Sequence, residues 1–181
     1  MRDKFEYFLN VIHYCIYLEE VWSNKKIDKV IDCLFSLIFK LPVLGKYIQK
    51  LDKRHTKEVK EFKFGNKWGL SIGLANHLFG YFYSGYPILI SFILGGLILR
   101  NFGYISNIVK LIILAVPIGL CYIPAYKAVF TNDRYLKYHK QFEKEGERWH
   151  KKWKRITLAF CIGSIFTTLL GICAIWIILL L

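Results

Sequence analysis

Residues 156–181 read ITLAFCIGSIFTTLLGICAIWIILLL, and no Lys, Arg, His, Asp or Glu interrupts them. As an α-helix these 26 residues would be about 39 Å long, against the roughly 30 Å of a bilayer's hydrocarbon core. Fifteen of them are Leu, Ile or Phe, which together favour insertion by about 4–9 kcal/mol. Directly before the run stand Lys151, Lys152, Trp153, Lys154 and Arg155, with Trp149 just upstream. Cations and tryptophans at that point are what a helix anchored among lipid headgroups carries. The stretch predicts a C-terminal transmembrane helix over 156–181, and with it an all-α integral membrane protein.

Two more uncharged runs lie upstream. Residues 68–99 contain no Lys, Arg, Asp or Glu. Two spans with a turn would need more than about 40 residues, so this is one long span. Pro87 removes its own N–H and frees the carbonyl of Tyr83, which predicts a break there. The aromatic cluster Phe79-Gly80-Tyr81-Phe82-Tyr83 with Tyr86 reads as an interfacial belt, leaving 80–99 as the span and 68–79 near the surface. After a polar turn at 100–106, residues 108–126 form a shorter span with Lys110 close enough to its edge to snorkel. Pro117 and Pro124 free the carbonyls of Ile113 and Leu120, which a neighbouring helix or water must satisfy. Residues 68–126 are therefore expected as a two-helix transmembrane hairpin.

The net charge of +13 lies beside these runs rather than within them. Residues 1–67 hold 14 Lys and Arg against 9 Asp and Glu, and residues 127–155 hold 10 against 4. The positive-inside bias then puts both basic regions on the cytoplasmic side. The expected topology is multi-pass in the cell membrane, N-terminus cytoplasmic and C-terminus opposite, with anionic lipid headgroups as partners. No nucleic-acid partner is expected, because no recognised binding pattern accompanies the charge. The start Met1-Arg2-Asp3-Lys4 loosely mimics a signal peptide, but Glu19 and Glu20 follow without a small-residue cleavage site, so residue 1 is expected in the mature chain.

Within 1–67, Phe5, Phe8, Ile12, Cys15 and Trp22 form a helical stripe, with Asn10, Glu19 and Glu20 away from its centre. Val30, Ile31, Leu34, Leu37, Ile38 and Leu41 predict a second amphipathic helix over 27–41, ended by Pro42. Both fit the headgroup region. A fourth span over 30–49 is the alternative, opposed by Asp32 and Lys40 at about 2.5–3.5 kcal/mol each near mid-bilayer. Residues 50–63 are charged throughout and read as a solvated helix or linker. Residues 127–155 carry Tyr135, Phe142 and Trp149 every seven positions, which predicts a basic amphipathic cytoplasmic helix interrupted at Gly146.

The strongest local pattern is Ala159, Gly163, Thr167 and Gly171, one small residue every fourth position, with Ser164 and Thr168 alongside. Such a face lets backbones approach and hydroxyls bond across helices. It suits either a seam between copies or packing against the chain's own helices. Gly69, Gly73 and Gly80 make a similar stripe in the first long run. His77, beside Asn76, is the one strongly polar ionisable group at candidate membrane depth. With Tyr83, Pro87, Pro117 and Pro124 it would line any pathway through the helices.

His139, Glu143, Glu147 and His150 share a face, but eleven helical residues separate the histidines by about 16 Å, too far for one ion. The five cysteines form no C-x-x-C pair and suggest neither a disulfide framework nor a zinc site. No cofactor is expected, and no hydrolase, zinc-protease or phosphate-loop motif is present. The leading expectation is a non-enzymatic membrane protein acting by helix–helix assembly, as an accessory subunit, scaffold or membrane-perturbing oligomer, through self-association or with another membrane subunit. A small channel or transporter subunit with its pathway at the proline-broken helices is the second. A lipid-modifying enzyme using His139, Glu143 or His150 is the third.

Overall fold

The structure, a computed structural model, describes residues 2–38, 62–64, 69–103 and 106–180. Among them there are helices and turns and no strands. The helices are α1 (Arg2–Ile38), α2 (Leu70–Phe102), α3 (Asn107–Val129), α4 (Arg134–Phe142) and α5 (Glu147–Leu180). Among the described residues, three elements are long and apolar enough to cross a membrane: α2, α3 with the segment that follows it, and α5. The chain divides into two compact units, Met1–Cys15 with Leu78–Leu181, and Ile16–His77.

The boundaries follow local chemistry. α2 ends where Gly103 takes φ +67° and donates its N–H to the Leu99 carbonyl at 2.9 Å. That left-handed ending is one glycine adopts without steric cost. Arg100 stands in the last turn, favourably placed against the negative end of the helix dipole. Ser106 caps α3, its hydroxyl accepting from the Val109 N–H at 3.4 Å. α2 runs through Pro87, and α3 through Pro117 and Pro124. The break expected at Pro87 is therefore absent as an interruption, and residues 70–79 belong to the same helix as 80–99.

Two other expectations change. The helix expected over 4–22 and the described part, 27–38, of the one expected over 27–41 belong to one continuous α1 of 37 residues, because Ser23 and Asn24 are poor helix formers but not breakers. The amphipathic helix expected over 127–155 is three pieces. Its first residues complete α3, and a tight turn at Thr131–Asp133 separates α4. Residues 147–155 continue unbroken into the apolar length of α5. Asn132 (φ 58°) and Asp133 (φ 53°) are both left-handed, a conformation their short polar side chains tolerate better than most. Residues 39–61, including Pro42, most of the alternative span over 30–49 and most of the charged segment 50–63, lie outside the described residues.

In the first unit α2 lies between α3 and α5. Contacts with α3 run in opposite directions along the two chains. Gly80 faces the Tyr122 hydroxyl, Tyr83 donates to the Cys121 carbonyl at 3.3 Å, and Ser91 donates to the Leu114 carbonyl at 3.2 Å. Contacts with α5 run in the same direction. Tyr86 donates to the Phe160 carbonyl at 2.6 Å, Thr167 to the Gly85 carbonyl at 3.2 Å, and Gly171 and then Gly96 mark the next close approaches. α2 and α5 are thus parallel, and α3 is antiparallel to both. The N-terminal part of α1 packs on α4 and the start of α5 through Tyr7, Phe8 and Tyr14, whose rings meet Phe142, Trp153, Phe160 and His150.

In the second unit, α1 carries Asn24, whose amide donates to the Ser71 hydroxyl at 3.0 Å. Ser71 in turn donates to the Lys63 carbonyl at 2.9 Å, and Lys63 pairs with Asp28.

Tight glycines in the first unit yield a stability test. A Cβ added at Gly85 would fall inside contact distance of the Ser164 hydroxyl and 3.0 Å from its main-chain oxygen, and one at Gly171 would collide with the Phe92 ring. G85A and G171A should each lower unfolding stability in detergent by about 1–3 kcal/mol, the usual cost of overpacking. At Gly73 no described atom comes within 4 Å. G73A should instead be neutral or stabilising by up to about 1 kcal/mol, from helix propensity. Thermal unfolding followed by circular dichroism separates the two classes.

Candidate functional site

Leu9, Asn10, Val11, Ile12, His13, Tyr14 and Cys15 are all buried, so this part of α1 is enclosed on every face. A helix enclosed all round must satisfy its polar side chains within the protein. Glu6, Asn10 and His13, at i, i+4 and i+7, share one face, and each meets a different structure. Glu6 accepts from Arg134 at 2.7 Å and from the Tyr138 hydroxyl at 3.3 Å. The Asn10 amide nitrogen donates to the Glu6 carbonyl at 2.8 Å and to the Ala128 carbonyl, near the end of α3, at 3.1 Å. Its Oδ1 is buried with no hydrogen-bond partner among the described residues.

His13 Nδ1 lies 3.1 Å from Nε2 of His139 on α4, and both rings are buried. Phe79, Phe130 and Tyr135 surround His13 with ring centroids 5.3–5.7 Å away. Tyr14 meets the edge of His139 at 5.0 Å. One nitrogen of the pair donates and the other accepts, so a single N–H lies between the two rings and both facing nitrogens cannot be protonated together. Burial, and after it the charge of His13, pushes His139 down to about 3. His139 is therefore a neutral hydrogen-bonding imidazole across the ordinary pH range. It joins α4 to α1 over 126 residues of chain.

Sequence reasoning took His139 with Glu143 and His150 and placed Asn10 off the apolar stripe. It did not single out His13. The available signal was the burial-compatible run 9–16 with Asn10 and His13 three residues apart on one face. Of the expected stripe, Ile12 and Cys15 are buried and Phe5 and Trp22 are exposed. Among the described residues no three His, Cys, Asp or Glu side chains converge to hold a metal ion. Glu143 is exposed and His150 half-buried, with His150 Nδ1 3.1 Å from the Gly146 carbonyl.

The small-residue positions lie as follows. Gly163 stands beside the Tyr86 hydroxyl and Gly171 against Phe92, while Thr167 bonds to Gly85. This face of α5 is therefore engaged by α2 of the same chain. Ala159 is exposed, Gly69 is buried and Gly73 half-buried. Of the polar and proline positions, Asn76 is half-buried, His77 exposed, Pro87 buried, Pro117 half-buried and Pro124 exposed. Tyr83 is tied to α3 through Cys121. Lys151, Lys152, Lys154 and Arg155 are exposed, and Trp149 and Trp153 are half-buried among aromatic rings.

A pH dependence follows from His139. In the unfolded chain its imidazole returns to about 6.5. Between pH 6.5 and about 3 the unfolded state therefore binds a proton the folded state refuses. Stability from this group is complete above pH 6.5 and falls as the pH drops, by about 2 kcal/mol at pH 5. Unfolding in detergent at pH 7.5 and pH 5 should show that loss in the wild type, and less of it in His139→Gln. Parallel pH profiles for the two proteins would mean that His139 titrates like a solvated ring.

Set against known proteins, the chain matches no family model, no curated protein and no solved structure.

Proposed function

We propose that the protein is a multi-pass integral protein of the cell membrane that acts by assembling with another membrane component rather than by catalysis. The observation that carries this reading is the outer surface of α3 and α5. Leu111, Leu120 and Trp176 are each about two-thirds exposed, and Ile108 and Leu180 more so. With Leu158, Ile162, Phe166 and Leu169 also exposed, they form apolar surface far beyond the few hundred Å² that a water-soluble monomer carries. Lipid, or a second membrane protein, is the environment that such surface needs.

Polar groups support the same reading by their placement. Tyr83, Tyr86, Ser91 and Thr167 turn inward to carbonyls of neighbouring helices, as hydroxyls must in hydrocarbon. The cations gather between the end of α3 and the apolar length of α5, over residues 127–155. Anionic headgroups on the cytoplasmic side would attract them. The sequence offers no legible nucleophile–base pair, so its chemistry favours an accessory or scaffolding role. Because α2 already occupies the Gly163–Gly171 face, self-association or docking of another subunit would use the outer faces of α3 and α5.

Sidedness provides the test. The protein should remain in the membrane through an alkaline carbonate wash. Exposed Cys33 should react with a membrane-impermeant maleimide only when the cytoplasmic face is open. A Leu181→Cys variant should react from the opposite face. Release by carbonate, or labelling of both positions from one side, would refute the three-crossing arrangement.

A further inference from the structure

The side of α4 away from the histidine pair borders a cleft of about 420 Å³, lined by Glu6, Arg134, Lys137, Tyr138 and Gln141. The volume is within the roughly 300–1,000 Å³ of small-molecule sites. Four of the lining residues occur at i, i+3, i+4 and i+7 of one helix and so share one face. The adjoining face, Tyr135, His139 and Phe142, is buried, so α4 cannot turn these four residues elsewhere.

Charge inside the cleft is partly committed. Arg134 pairs with Glu6 at 2.7 Å, and the Tyr138 hydroxyl donates to the other oxygen of the same carboxylate at 3.3 Å. Glu6 thereby fixes the guanidinium in place and cancels one positive charge. Lys137 is exposed and has no partner among the described residues, so the cleft is left with one net positive charge. Gln141, also exposed, adds an amide donor one turn beyond Lys137. One ammonium, one amide and the remaining guanidinium N–H groups form a donor set for a singly charged phosphodiester.

Position selects among phosphate sources. α4 begins one tight turn after the apolar helix α3 ends. The lining residue Tyr138 begins a run of ring contacts: it meets Tyr7 and Phe142, Phe142 meets Trp149, and Trp149 meets Trp153. Two residues later the cations Arg155 and Lys154 give way to the uncharged run at Ile156. Tyrosine and tryptophan gathered at such a boundary mark headgroup depth. We infer that the cleft between α1 and α4 binds the phosphodiester headgroup of an anionic glycerophospholipid, with Lys137 and Gln141 on the phosphate and Arg134 held in place by Glu6.

The inference rests on the chain being membrane-embedded, and the two can fail separately: carbonate extraction tests embedding, whereas the experiment here tests the cleft. Native mass spectrometry of the full chain in detergent, titrated with phosphatidylglycerol, should show one saturable lipid adduct, with phosphatidylcholine binding at least fivefold more weakly. Lys137→Glu should weaken that adduct at least fivefold. Arg100→Glu, which makes the same change of charge in the last turn of α2, outside the cleft and outside the basic segments, should leave it within twofold. Circular dichroism must show both variants helical, and Lys137→Gln, which changes the charge less, should give an intermediate loss. Adducts that Lys137→Glu leaves unchanged, or that Arg100→Glu weakens equally, would overturn the assignment. So would displacement of the lipid by millimolar inorganic phosphate, which would identify a site for the free ion.

Discussion

Tyr83, Tyr86 and Ser91 each give a hydroxyl proton to a main-chain carbonyl on a neighbouring helix, and Thr167 shares its proton between the Gly85 carbonyl and that of Ser164 in its own helix. These bonds hold α2 between α3 and α5. A hydroxyl in an apolar environment is costly until it is paired, and a helical carbonyl retains a second lone pair after its own ladder bond. The pairing therefore needs no charge and no break in a helix. It does need close approach, and the glycines supply it: Gly85 lies under Ser164 and Gly171 under Phe92. The parallel course of α2 and α5, and the antiparallel course of α3, follow from which carbonyls these side chains reach.

The prolines fit the same scheme with one difference. Pro117 and Pro124 should free the carbonyls of Ile113 and Leu120. The acceptors that α2 uses are Leu114 and Cys121, each one residue further along. A proline loosens a whole turn, and the hydroxyls take the carbonyls that face α2. The requirement that a neighbour lie against this helix is met by geometry slightly displaced from the backbone argument.

At the other end of the unit, polar chemistry is buried in an aromatic shell. The His13–His139 bond lets a nine-residue helix, too short to persist alone, dock against α1. Burial keeps His139 unprotonated, so its side of the joint is a hydrogen bond from an uncharged imidazole. Arg134 and Glu6 provide the charged contact, at the rim where water can still solvate them. An ion pair at the solvated rim rather than in the aromatic interior is the order that desolvation cost imposes.

The sequence by itself determined the helical class, the three long apolar elements and the basic flanks. Each of these is a property of a run of residues, and the length of an uncharged run or the density of cations needs no partner to be read. It also singled out Gly163, Thr167 and Gly171, because a small-residue face has its own period, but it left open what covers that face. Tertiary structure decided that α2 covers it, that α1 is one helix, and that His13 rather than His150 faces His139. Those outcomes depend on residues up to 126 positions apart, and pairings at such separation leave no local period. The left-handed turn at Asn132 and Asp133, which sends α4 back to α1, is equally invisible to a reading of apolar spacing.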